Sequence, residues 1–243
     1  MTMQNKNVLI TGSSRGIGLA IAHQFGLSGA NIIINCSRST DELATAESRL
    51  KNLGINVCGA MGDLSDYKDA KTVMDAAAKL GDIDILVNCA GVSHMGLFTE
   101  MSFDDINSII SRNIYPAVNM SRLILPSMIR RKEGKIINIS SIWGVAGASC
   151  EVIYSAAKGF INTFTKALAR EAGPSNIFVN AIACGVIDTR MNDFLNPDEA
   201  EELKNRTALI KFGSAYDVAR LCLYLAETDY MTGQILTLDG GMI

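Results

Sequence analysis

What the sequence lacks narrows it first. No apolar run approaches the ~18 residues that a bilayer-crossing helix needs, although 48% of the chain is hydrophobic. The opening residues, Met-Thr-Met-Gln-Asn-Lys-Asn, carry no signal-peptide core, so a cytoplasmic location is expected. Positive charge is not in excess. The formal net charge is −3, which leaves no electrostatic footprint for nucleic acid. Six cysteines (Cys36, Cys58, Cys89, Cys150, Cys184, Cys222) are scattered without a Cys-x-x-Cys pair, and only His23 and His94 could join them around a metal. Reduced thiols and no metal site are expected. His94 follows a strand and is read as a loop residue without a catalytic role. No Pro/Gly/Ser-rich linker and no internal repeat divides the 243 residues, so residues 1–243 are read as one domain.

Few charges and many apolar residues suit strands buried on both faces. Short apolar runs at residues 8–11, 32–36, 57–61, 83–89, 135–139, 178–183 and 234–238 alternate with helical patterns. That alternation predicts an α/β fold, a parallel sheet wrapped by helices.

Residues 136–158 organise the rest. An apolar β-branched run ends in Ser140 and Ser141, a loop of small residues follows, and Tyr154 and Lys158 stand four positions apart. Ala156, Ala157, Phe160, Ile161, Phe164, Ala167 and Leu168 recur at helical spacing. Tyr154 and Lys158 therefore share one helix face. A phenol titrates near ~10, and a close ammonium is expected to lower that value toward the range of a working acid. Ser141 can offer its hydroxyl to the same substrate oxygen. Alone, the pair could equally be an ordinary surface contact.

The first strand runs into Thr11-Gly12-Ser13-Ser14-Arg15-Gly16-Ile17-Gly18, followed by a helical pattern. Glycines there allow a tight turn and close approach to a pyrophosphate seated on the helix N-terminus. The second strand ends Asn35-Cys36-Ser37-Arg38, without the carboxylate that would hold the ribose hydroxyls of NAD. Ser37, Arg38 and Arg15 suit a 2′-phosphate instead, so the expected cofactor is NADPH. Asp41 and Glu42 come too late and are assigned to the next helix start. Asp63, before Leu64, is read either as an acceptor for the adenine amino group or as a helix-start acid. Small residues in Asn88-Cys89-Ala90-Gly91 let backbone pass close to the cofactor.

A long helix is predicted over residues 102–131, capped by Ser102 with Asp105 three on. Pro116 removes a donor to Arg112 and is expected to kink it, beside Asn113. Asn113 is read either as a water-binding residue or as an ordinary polar one.

Taken in order, Thr11-to-Gly18, Asp63-Leu64, Asn88-to-Gly91, Asn113, Ser141, Tyr154-x-x-x-Lys158 and Asp239-Gly240-Gly241-Met242 make the whole chain resemble the short-chain dehydrogenase/reductase family. The resemblance implies a doubly wound (Rossmann) parallel seven-stranded sheet and a homotetramer. It implies a catalytic tetrad in which Tyr154 protonates the substrate oxygen and Lys158 lowers the tyrosine pKa and binds the nicotinamide ribose. Ser141 orients the carbonyl and Asn113 holds a relay water. Ile187 and Thr189 match positions that bind the nicotinamide amide and the phosphates. Residues 190–213 match a mobile substrate lid, with a helix start at Asn196-Pro197-Asp198-Glu199. Cys184 stands where the family usually has proline; a thiol nucleophile there is disfavoured, since no histidine is near in sequence.

The chain is most similar to bacterial 3-oxoacyl-[acyl-carrier protein] reductases, which belong to fatty acid biosynthesis. Arg130-Arg131-Lys132 and Lys135 could form a landing patch for an acidic carrier, but Ser175 replaces the docking arginine of those enzymes. An alternative comes from Trp143 and Glu151. The segment Ser-Ile-Trp-Gly-x-x-Gly-Ala-Ser-Cys-Glu-Val-x-Tyr-Ser looks like the reductases that finish the 5-aminopentanone modification of elongation factor P. A pocket carboxylate at Glu151 would pair with the amine of that substrate; otherwise it is a helix-start acid. A dinucleotide-binding regulator without chemistry is a further alternative, though no tetrad residue is missing.

Overall fold

The computed structural model describes residues 3–192 and 195–243. Seven strands form one parallel sheet: β1 (Asn7–Ile10), β2 (Asn31–Cys36), β3 (Val57–Met61), β4 (Ile85–Asn88), β5 (Gly134–Ser141), β6 (Ile177–Cys184) and β7 (Ile235–Leu238). Their spatial order is β3-β2-β1-β4-β5-β6-β7. The order reverses between β1 and β4, and at such a switch point the loops from neighbouring strands part to opposite faces and open a crevice at the strands' carboxyl ends.

The central strands are predominantly apolar because both faces are covered. Val8, Ile10, Ile32 and Ile34 are buried in one core, whereas Leu9 and Ile33 alternate into the other. Each such side chain contributes roughly 1.5–3 kcal/mol by leaving water. Helices α1 (Gly16–Leu27), α2 (Thr40–Asn52) and α8 (Ala215–Glu227) cover the first face; α3 (Tyr67–Ala77), α4 (Phe103–Arg131) and α6 (Val152–Ala172) cover the second. Two short helices, α5 (Trp143–Ala146) and α7 (Pro197–Asn205), lie in the loops that follow β5 and β6.

Local signals behave as expected at the caps. The Ser102 side chain accepts from the Asp105 N–H at 3.1 Å, and Asn196 with Glu199 closes a reciprocal capping box. Pro116 does not end the helix: α4 continues through both Pro116 and Pro126. Burial of the helix face carrying Ile109, Asn113, Ala117, Met120 and Ile124 outweighs the local loss of a donor.

The basic patch is also corrected. Arg131 pairs with Asp84 at 3.0 Å and donates to the Ile83 carbonyl. Lys135 is 5% exposed and bonded to the Thr228 carbonyl and Asp229. Lys135 sits at the amino end of β5, six positions from Ser141, or ~20 Å at the usual strand rise, and Arg131 ends α4 just before that strand. In a single chain, only Arg130 and Lys132 of the four remain exposed, at the opposite edge from the crevice. Among the described residues, no helix is long and apolar enough to cross a membrane and no cluster of three metal-ligating groups exists.

Candidate active site

The crevice is built first from backbone. The Thr11 hydroxyl oxygen at the end of β1 accepts from the N–H groups of Cys89 (2.9 Å) and Ala90 (3.0 Å), binding the loop after β4 to the glycine turn. Gly12 has φ +60°, and a Cβ there would lie 2.8 Å from Ala90 Cα; at Gly18 it would lie 2.6 Å from the Gly12 carbonyl oxygen. The turn is thus held flush against β4 and against its own helix. Ser13 and Asn35 complete the frame. Ser13 Oγ donates to the Ile10 carbonyl and accepts from Asn35 N–H, while Asn35 Oδ1 accepts from Gly12 N–H.

The α1 N-terminus opens into this turn with no side-chain cap and no acid in its first turn. Its amides and the helix dipole are left to an anionic ligand. Thr189, after β6, closes over the turn: a Cβ at Gly16 would meet Thr189 Cγ2 at 3.8 Å and nothing nearer. These residues fit a dinucleotide pyrophosphate. At the end of β2, burial raises the Cys36 thiol, but hydrogen bonds from Arg38 N–H, the Ser14 hydroxyl and Ser39 N–H outweigh it and leave its pKa lowered. Arg15 lies across this same end, held by Glu42 through two contacts of 2.9 Å. Asp63 Oδ1 accepts from the N–H and hydroxyl of Ser65 (3.0 and 2.7 Å), and the Leu64 carbonyl accepts from Asn119.

On the other side of the crevice α6 brings the reacting groups together. Ser141, at the end of β5 and in register with Cys184 of β6, hydrogen-bonds to Tyr154 and accepts from Trp143 N–H at 3.2 Å. Lys158 Nζ lies 5.6 Å from the Tyr154 ring centroid and donates to the Ile139 carbonyl at 3.1 Å. Tyr154 and Lys158 are 9% and 6% exposed. A Cβ on Gly91 would meet Asn113 Oδ1 at 2.7 Å and Lys158 Nζ at 3.4 Å, so the β4 loop, α4 and α6 converge here.

Two expectations change on contact with this geometry. Tyr154 is not lowered: burial pushes its phenol above the ordinary value, the Glu151 charge pushes it further, and the Ser141 hydrogen bond only partly offsets them. Burial also lowers the Lys158 pKa, so desolvation acts on both members of the pair. The Asn113 amide is committed to protein. It donates to the carbonyls of Val92 and Ile109 (both 2.9 Å) and accepts from Val92 N–H, clamping the β4 loop onto α4. Asn88 leaves only its backbone for a cofactor. Its side chain points into the sheet's second layer, donating to Ser121 and to Asn138, which in turn donates to Thr165.

Glu151 stands at the start of α6, as a helix-start acid would, but makes no capping hydrogen bond. Its carboxylate hydrogen-bonds to Trp143 instead, and burial raises its pKa. The structure therefore brings Trp143, Glu151, Tyr154 and Ser141 to one mouth. Cys89 and Cys184 flank it as inert thiols, each pushed up to about 12 by burial; all six cysteines are free.

Asn162, missed in the sequence, donates to the Gly144 carbonyl at 3.0 Å and steadies the loop after β5. Its position four residues after Lys158, on the face of Tyr154, was the available signal.

A crevice that cradles a dinucleotide on one side and holds a buried phenol on the other is shaped to exchange a hydride with a carbonyl carbon and a proton with its oxygen. That defines a nicotinamide-dependent oxidoreductase acting on a ketone or its alcohol. More particularly, the chain belongs to the short chain dehydrogenase family, whose profile matches residues 6–200. It is 38% identical over 242 residues to the 3-oxoacyl-[acyl-carrier-protein] reductase FabG of Chlamydia trachomatis, covering 98% of this chain and 97% of that one. It is 35% identical over 240 residues to the uncharacterized oxidoreductase YmfI of Bacillus subtilis, covering 98% of each. The 3-oxoacyl-[acyl-carrier protein] reductase structure from Brucella melitensis superposes with a TM-score of 0.93 at 32% identity, over 99% of this chain and 92% of that one.

Proposed function

We propose that this chain is an NADPH-dependent carbonyl reductase whose ketone substrate carries a cationic amine. The observation that carries the substrate class is Glu151. This carboxylate is half-buried beside the catalytic phenol, makes no capping hydrogen bond at the α6 N-terminus and has the Trp143 indole as its donor. A desolvated carboxylate with so few donors gains most from a cation brought to it. The 5-aminopentanone group on elongation factor P has that chemistry. The competing substrate is a 3-oxoacyl thioester on acyl-carrier protein, favoured by the names and full-length identity of the FabG relatives. Ser175 and the committed Arg131 and Lys135 weigh against it.

Bound NADPH supplies the hydride. Tyr154, kept protonated by burial, donates its proton to the carbonyl oxygen, and the Ser141 hydroxyl donates a hydrogen bond to the same oxygen. Lys158, tethered to Ile139, stands beside the phenolate that results, where its ammonium stabilises that negative charge. Asn113 works by position, fixing residues 91 and 92 against the crevice. Assembly as a homotetramer belongs to the same proposal, with Tyr115 on α4, Phe160 on α6 and Tyr224 on α8 presenting apolar surface.

Oxidation of NADPH or NADH by the purified chain in the presence of ketones tests the reaction. NADPH is the expected donor, and Arg38→Asp should raise its KM at least about tenfold while improving NADH, because a carboxylate repels a phosphate and accepts ribose hydroxyls. Indifference of both values to the substitution would remove Arg38 from the cofactor site.

A further inference from the structure

Glu42 does more than open α2. Its carboxylate receives two arginines from segments far apart in the chain. Arg15, in the glycine turn, contacts both oxygens at 2.9 Å; Arg190, the first residue of a 3-10 turn (Arg190–Asn192) after β6, contacts one at 3.3 Å. Arg15 and Arg190 have side chains 61% and 73% exposed, so neither is fixed by packing and each can exchange partners. Arg190 stands at the foot of the long excursion between β6 and α8. The two feet of that excursion are tied to each other: Asp188 N–H donates to the Gly213 carbonyl at 2.8 Å and Gly213 N–H to the Val186 carbonyl at 3.0 Å. A contact at one foot, at Arg190, bears on the described residues that follow through these backbone bonds.

We propose that Glu42 is a counter-ion shared between the cofactor site and this excursion, and that the 2′-phosphate of NADPH operates it. The proposal rests on the NADPH assignment above. In the empty protein one carboxylate serves two guanidinium groups. A phosphate at the end of β2 takes the Arg15 fork, which suits it geometrically. Glu42 is then left to Arg190 alone, and the single 3.3 Å contact can become a two-point one. NADPH thereby fastens the first turn after β6 to α2. NADH, lacking the phosphate, leaves Arg15 competing for the same carboxylate. Glu42 and Arg190 are positioning residues, acting on the excursion without touching the reacting atoms.

Hydrogen exchange of residues 197–213, measured with saturating NADPH or NADH, tests this together with nucleotide affinity on the same samples. In the wild-type chain NADPH should slow exchange of this segment by about threefold or more relative to NADH, the scale of one exposed ion pair. Glu42→Gln should abolish that difference while leaving the NADPH Kd unchanged or tightened by up to about fivefold, since Arg15 loses a rival partner. Arg190→Ala should also abolish it, with the Kd unchanged. An NADPH-specific slowing that survives in both variants overturns the proposal, as does a Glu42→Gln Kd more than tenfold weaker. Equal wild-type affinity for NADPH and NADH would instead overturn the cofactor assignment beneath it.

Discussion

Tyr154→Phe should lower ketone turnover by about 10²–10⁴-fold, the usual contribution of a positioned general acid, while dinucleotide affinity changes little. The substitution removes one oxygen from a side chain that is 9% exposed and keeps the ring against which Lys158 is packed. Stability is expected to hold to within about 1 kcal/mol, because the deleted hydroxyl's hydrogen bond is to Ser141, which keeps Trp143 N–H as a partner. Loss of rate with retained binding separates an acid from a structural tyrosine. Steady-state kinetics alongside nucleotide titration and a thermal melt reads all three quantities.

Glu151→Gln should reduce kcat/KM for an amine-bearing ketone by at least about tenfold, or ~1.4 kcal/mol, and leave a neutral ketone of equal length within about threefold. The amide keeps a hydrogen-bonding oxygen for Trp143 but cannot pair with a cation. The same substitution has a signature in pH. Burial is the largest influence raising the Tyr154 pKa and the Glu151 charge the next. Deleting that charge makes the phenolate easier to form, so the phenol pKa falls. Ketone reduction needs the protonated phenol and is lost as pH rises through its pKa. The alkaline limb of the rate profile should therefore move to lower pH in Glu151→Gln. A helix-start acid remote from the reaction would leave both the limb and the substrate preference where they were.

Much of this was legible in the chain because it is encoded locally. Every strand was located to within two residues at its start, since runs such as Ile32-to-Cys36 are short, apolar and bounded by turn residues. Ser102 and Asn196 announced their helices through partners three residues away. The glycine turn and the Tyr154–Lys158 face are likewise contiguous. What escaped depends on reach across the fold. Glu42 looked like a helix-start acid, and it is one, but its carboxylate finds Arg15 across 27 positions and Arg190 across 148. Arg131 and Lys135 read as surface charge until Asp84 and Asp229 were placed beside them. The direction of the Tyr154 shift was misjudged for a related reason. A Tyr-x-x-x-Lys spacing announces a nearby amine but not the desolvation of both groups, and desolvation dominates.

The substrate assignment is tested most directly by one ratio: wild-type kcat/KM with NADPH for 5-aminopentan-2-one divided by that for an acetoacetyl thioester. A ratio well above one is the expected result, because Glu151 offers the amine a partner that the thioester cannot use. A ratio well below one would contradict the account and return the chain to the 3-oxoacyl reductases.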